Sequence, residues 1–210
     1  MTRRATSDTV HAALRGRRIE AVLIGASAGG VEAMSTLLAA LPAGYPLPVV
    51  CILHLPAARD SLLPELFNER LPLPVREAAD KDSVDPGTVY FAPSGYHLSI
   101  ERDRTFSLSC EPPVNFARPA IDVLMASSAD AYGPGLAGIL LTGANHDGAQ
   151  GMAAIGAKRG LTVVQDPRDA QVATMPEAAI RLSAPHLVLP LAGIAALLPM
   201  LANVELGTQP

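Results

Sequence analysis

Short apolar runs alternate with segments whose apolar residues recur every three or four positions. The runs are IEAVLIGA (19–26), PVVCILHL (48–55), GLAGILLTG (135–143), LTVVQD (161–166) and HLVLP (186–190). Continuous apolarity over so few residues predicts strands buried on both faces. The segments between and after them predict helices: 31–41, 61–71, 118–133, 147–160, 176–184 and 191–201. In the first, Val31, Met34, Leu37, Leu38 and Leu41 form one stripe, and Pro42 and Gly44 end it. In the second, Ser61 is a candidate cap and Pro64 fits only the first turn. Pro176 likewise suits a helix start.

The middle of the chain has a different rhythm. VREA (75–78) and TVYFAP (88–93) are short and alternating, and HLSIERDRTFSLSC (97–110) reads as a hairpin turning near Arg102–Arg104. An antiparallel excursion at the sheet edge is the expectation here. Buried strands alternating with helices predict an α/β fold of three layers, α/β/α, with a doubly wound, mostly parallel sheet. Such sheets bind ligands at the carboxyl ends of their strands, so the residues that follow each run carry the candidate chemistry.

Three strand ends carry polar residues of complementary kinds. The first delivers Ser27 in GASAGG, a G-x-S-x-G pattern of the sort that turns sharply from strand to helix. The second delivers His54, and the third delivers Asp147 in TGANHDGAQG. Serine needs an adjacent base to act as a nucleophile. Histidine serves as that base near neutral pH, and a carboxylate orients the imidazole. Each residue also has a plain structural role open to it. Ser27 and Asp147 suit helix caps, and a lone histidine at a strand end is commonly just hydrogen-bonded. His146 is the nearest rival base; Asp166 and Asp122 are rival carboxylates. The chain order Ser, His, Asp differs from the Ser, Asp, His of α/β-hydrolases. A phosphate cradle is the weaker reading of the same glycines. Neither G-x-x-x-x-G-K-[ST] nor G-x-G-x-x-G is present, and no lysine lies near the turn.

Composition narrows the class further. The 210 residues are 49% hydrophobic and 17% charged, with a net charge of −4, which argues against nucleic acid as a partner. Arg3, Arg4, Arg15, Arg17 and Arg18 cluster at the start, so residues 1–18 read as a basic tail, 19–203 as one domain and 204–210 as a second tail. The two cysteines, Cys51 and Cys110, have no metal or redox spacing and fit a reducing compartment. No apolar run is long enough for a transmembrane segment and no signal peptide opens the chain. A cytoplasmic protein with no metal and no cofactor is the expectation.

Six segments, in this order, closely resemble the catalytic domain of the CheB-type protein-glutamate methylesterases of bacterial chemotaxis. They are IGASAGGVEAM, ILHLP, VYFAPSGYHLSI, RPAIDVLMASSA, LTGANHDGAQGMAAI and VVQDPRDAQVATMPEAAI. The resemblance spans about Arg18 to Leu201. It implies a three-layer α/β/α fold and hydrolysis of glutamyl γ-methyl esters on a methylated chemoreceptor, with glutamine deamidation in many members. It places the nucleophile on Ser27, the base on His54, the carboxylate on Asp147 and the oxyanion-binding N–H groups at Ala28 and Ala144; Asp122 falls in its RP…D segment, where a structural role is the first reading. The resemblance has three departures. About eighteen residues precede the first strand, too few for the receiver domain the family usually carries. This leaves an unregulated domain, control by a receiver protein in trans, or a fragment. Ala144-Asn145 replaces the usual Met-Gly, where loss of the glycine bears on the loop backbone, and Thr174 replaces a glycine before Met-Pro. A receptor-binding module without turnover and a nucleotide-binding domain are the alternative functions.

Overall fold

The computed structural model describes residues 7–54 and 63–202. Seven parallel strands form one sheet: β1 (Ala21–Ala26), β2 (Val49–Leu53), β3 (Val75–Glu77), β4 (Val89–Phe91), β7 (Leu136–Leu140), β8 (Leu161–Gln165) and β9 (Leu187–Leu189). Their order is β3-β4-β2-β1-β7-β8-β9, with Ile24 opposite both Cys51 of β2 and Ile139 of β7. β1, β2, β7 and β8 are buried along their whole length, which is why they read as unbroken apolar runs.

Side chains alternate between the two faces of the sheet. Val22 and Ile24 of β1 enter a core with Met34, Leu37 and Leu38 of α2 (Gly30–Leu38) and Ile194, Leu197 and Leu198 of α7 (Leu191–Leu201). Ala21 and Leu23 enter the opposite core. There they meet Ile121, Leu124 and Met125 of α4 (Ile121–Tyr132), Met152 and Ile155 of α5 (Ala149–Ala157) and Ala179 of α6 (Thr174–Ser183). After β1 the chain winds to one side through α2, and after β7 to the other through α5. The reversal makes a crevice at the carboxyl ends of β1 and β7.

Four sequence expectations are corrected. Residues 75–78 and 88–93 contain parallel strands of the main sheet, β3 and β4, which the sequence obscured because each is only three residues long and β3 buries only Val75. The expected antiparallel hairpin forms, β5 (His97–Ile100) with β6 (Phe106–Ser109), but as a separate two-stranded sheet instead of at the edge of the main one. It packs on α4, where Ile100 N–H donates to Ser127 Oγ at 3.2 Å. Val31 is 42% exposed, because α2 buries Gly30, Ala33, Met34, Leu37 and Leu38 and that stripe centres about a quarter-turn away. Within the basic first segment, α1 (Ser7–Leu14) is helical and buries Leu14 in the core. The second predicted helix is α3 (Leu63–Asn68), and its candidate cap Ser61 lies outside the described residues.

Candidate active site

The turn after β1 explains its glycines. Gly30 N–H donates to Ser27 O at 2.8 Å, and Gly29 sits at φ 77°, ψ 0°, the third position of a type II turn. A β-carbon at Gly30 would strike the Leu53 side chain, so glycine lets α2 start hard against β2. Gly29, not Ser27, is the N-cap of α2 and no side chain caps this helix. The half-buried Ser27 is therefore not held as a helix cap. Its hydroxyl faces the imidazole of His54, with Oγ 3.2 Å from Nδ1.

His54 follows β2 directly, and its N–H reaches Ala26 O at 3.3 Å. The ring is 13% exposed and its Nε2 lies 2.8 Å from Asp147 Oδ2. An ionised carboxylate only accepts, so Nε2 carries the proton and donates to Asp147. Nδ1 then presents its lone pair to the Ser27 hydroxyl.

Asp147 lies in the loop after β7 and is fully buried. Its Oδ2 also accepts the Ile121 N–H at 2.6 Å. Its Oδ1 accepts from Asp122 N at 3.0 Å, Asn115 Nδ2 at 3.1 Å and Gly148 N at 3.1 Å. Burial alone pushes this carboxyl up. The His54 donor, then the Asp122 and Ile121 N–H groups and the Asn115 amide, outweigh burial and hold it below the usual carboxylate range.

The capping here is crossed. Neither α4 nor α5 has a side-chain cap from its own N-cap residue, Ala120 or Gly148. Asp147, which precedes α5, takes the first N–H groups of α4. Asp122, in the first turn of α4, takes the Gly151 N–H of α5 at 2.7 Å. Each helix start is thus satisfied by the other's carboxylate.

Of the rivals named from sequence, Asp122 lies beside Asp147, with Asn115 donating to both, and the other two lie apart from this row. His146 is exposed, and Asp166 holds Arg168, with Oδ2 to Nη2 at 2.6 Å. Among the described residues, neither the Ala28 nor the Ala144 N–H donates a hydrogen bond. Asn145 does not adopt positive φ, so its β-carbon fits the loop, and its Oδ1 accepts the Asp147 N–H at 3.1 Å.

Three supporting residues were missed in the sequence. Asn115 joins the two aspartates. Thr142 accepts the Val172 N–H at 2.9 Å while its hydroxyl lies 2.9 Å from Ala28 O, tying the serine turn to the loop after β8. Gln165 accepts the Thr142 N–H at 2.9 Å and donates to Asp169 at 3.0 Å. Thr142 and Gln165 did carry a signal: each is a polar residue near the end of a mostly apolar run, and each is buried.

A doubly wound parallel α/β protein with serine, histidine and carboxylate in one hydrogen-bonded row at its ligand end has the layout of a hydrolase. This chain belongs to the CheB methylesterase family, whose model matches residues 22–198. A protein of Leptospira interrogans is 44% identical over 178 residues, covering 85% of this chain and 92% of its own length. The Xanthomonas campestris protein-glutamate methylesterase/protein-glutamine glutaminase 1 is 41% identical over 187 residues, and that match spans 87% of this chain but 52% of the relative. The Thermotoga maritima CheB methylesterase catalytic domain has the same fold, with a TM-score of 0.83 and 30% identity over 87% of this chain and 98% of that one. No described helix is long and apolar enough to cross a membrane.

Proposed function

We propose that this protein is a protein-glutamate methylesterase that uses Ser27 as nucleophile, His54 as general base and acid, and Asp147 as the orienting carboxylate. The observation that carries this reading is the continuous row from Ser27 Oγ to His54 Nδ1 to His54 Nε2 to Asp147 Oδ2, with separations of 3.2 and 2.8 Å. Family membership and the name of the Xanthomonas relative support methyl esters of protein glutamate as the substrate class, and the resemblance in the sequence points to a chemoreceptor as the protein that carries them.

In the reaction, Ser27 Oγ attacks the γ-carbonyl carbon as its proton passes to His54 Nδ1. The Ala28 and Ala144 N–H groups stabilise the oxyanion, each worth roughly 3 kcal/mol. Collapse breaks the C–OCH3 bond, and the imidazolium returns the proton to the leaving oxygen, releasing methanol. Water, deprotonated by His54, then hydrolyses the acyl-serine to a glutamate side chain and regenerates Ser27. On a glutamine side chain the same steps release ammonia, in keeping with the second activity in the relative's name.

The test is methanol release from a peptide bearing a glutamyl γ-methyl ester. Ser27→Ala is expected to lose at least about a thousandfold in kcat, with stability within about 0.5 kcal/mol of the parent. A folded Ser27→Ala protein turning over at the parental rate overturns the reading.

A further inference from the structure

The turn at Val114–Ala117 is unusual in what holds it. Val114 N–H donates to Ala117 O at 3.1 Å and Ala117 N–H returns to Val114 O at 2.9 Å. The two central residues, Asn115 and Phe116, have φ of 51° and 63°. Type I′ turns require positive φ at both places and favour Asn and Gly; a phenylalanine there is disfavoured. Phe116 is 102% exposed, so burial of its ring does not stabilise the turn. The Asn115 amide does. Its Nδ2 has two hydrogens, one directed to Asp122 Oδ2 at 2.8 Å and the other to Asp147 Oδ1 at 3.1 Å. A costly backbone conformation kept in place by contacts to the orienting carboxylate points to a role in the site.

We propose that Asn115 and Asp122 are positioning residues for the reaction and act as one unit. Asp122 fixes the Asn115 amide, and Asn115 fixes which oxygen of Asp147 meets His54. This inference rests on the esterase reading above. The geometry supplies the reason. A carboxylate has two equivalent oxygens and rotates freely unless its partners differ. Here three donors converge on Asp147 Oδ1, and Oδ2 is left to Ile121 N–H and the imidazole. Asn115 supplies the one side-chain donor among the three. Asp122 in turn keeps the amide oriented, because both of its oxygens are occupied, Oδ1 by Gly151 N–H and Oδ2 by Asn115. Burial, followed by the neighbouring charge of Asp147, pushes the Asp122 carboxyl up, against the hydrogen bond from Gly151.

The experiment uses the full chain with Asn115→Gly, Asp122→Asn and the double variant. Glycine accepts the positive φ at 115 and removes only the amide. Asparagine at 122 leaves one acceptor oxygen where Gly151 and Asn115 each require one. With the γ-methyl-ester peptide, each single change is expected to lower kcat roughly ten- to a hundredfold at unchanged KM, the scale of a misplaced catalytic group. The double variant falls no further than the worse single, because both break one unit. By NMR, the His54 Nε2–H gives a sharp downfield resonance in the parent that broadens into solvent exchange in both singles. Two results overturn the inference: parental kcat with a sharp resonance in Asn115→Gly, or a double variant losing the product of the two single effects. If Asp122 is only a cap for α5, its variant loses stability while Asn115→Gly behaves as parent, and the inference fails. Ser27→Ala run in parallel separates the two readings. An active Ser27→Ala overturns the esterase assignment, whereas the NMR comparison still decides how Asp147 is held.

Discussion

The two ends of the central sheet treat charge in opposite ways. At the carboxyl end, Asp147 is completely buried and receives five donors, His54 among them. At the amino end, Glu20 and Arg104 pair across the surface with side chains 33% and 50% exposed, and the guanidinium lies 4.8 Å from the Tyr132 ring centroid. Arg15, Arg17, Arg18 and Arg159 line a cleft beside them. Arg17 donates to Ala13 O, Arg159 O and His186 Nε2. The amino end has more charge and less order imposed by it. Buried carboxylates fail without partners, so their partners must be fixed in place; exposed ion pairs are screened and contribute little. The proposed chemistry, which depends on orientation, falls at the end where geometry is over-determined.

Removing Asp147 should give the largest effect of this contrast. Asp147→Ala strands the Ile121 and Asp122 N–H groups and the Asn115 amide, and roughly 3 kcal/mol of stability should disappear in urea unfolding. Activity should fall by about a thousandfold or more in the same protein. If its unfolding free energy matches the parent's, Asp147 is not a shared cap. A smaller effect, read by pH, belongs to the carboxyl end alone. The Asp147 carboxyl is held low, so its contribution to stability is complete above the unfolded carboxylate value of about 4 and is lost as pH falls through its own lower value. Asp122, held high, acts in the opposite sense: its contribution is present below the unfolded value and is lost as pH rises through its own. Melting temperature should therefore decline on acidification less steeply in Asp147→Asn than in the parent, and an unchanged slope counts against the donor set around Oδ1 and Oδ2. The smallest effect belongs to the amino end. Arg104→Ala should cost under about 1 kcal/mol, fading with added salt, and leave kcat unaltered. A large loss there erases the distinction between the ends.

Much of this was legible because it is periodic or local. The β1, β2, β7 and β8 runs announce buried parallel strands, and the polar residues just beyond three of them are Ser27, His54 and Asp147. The edge strand β3 was obscured because three residues with one buried side chain carry almost no pattern. α1 was hidden in a basic segment because it buries only Leu14. The crossed caps were invisible for a different reason. Asp122 and Gly151 are 29 residues apart, as Asn115 and Asp147 are 32 apart. Asp147 before α5 looks like that helix's own cap, and only folding reveals that its carboxylate serves α4. Asn115 sits in a loop where asparagine is unremarkable until its φ is known.

The crossed caps also set a timescale. Amides in the first turn of a helix are ordinarily among the earliest to exchange with solvent, because they have no partner within the helix and the ends fray. Here Ile121 and Asp122 donate to Asp147 just ahead of α5, and Gly151 donates to Asp122 in α4, so neither end frays without loosening the other. These three amides should survive in deuterated water with lifetimes close to those of the central strands. The buried side of the candidate site would then rank among the slowest-breathing parts of the protein.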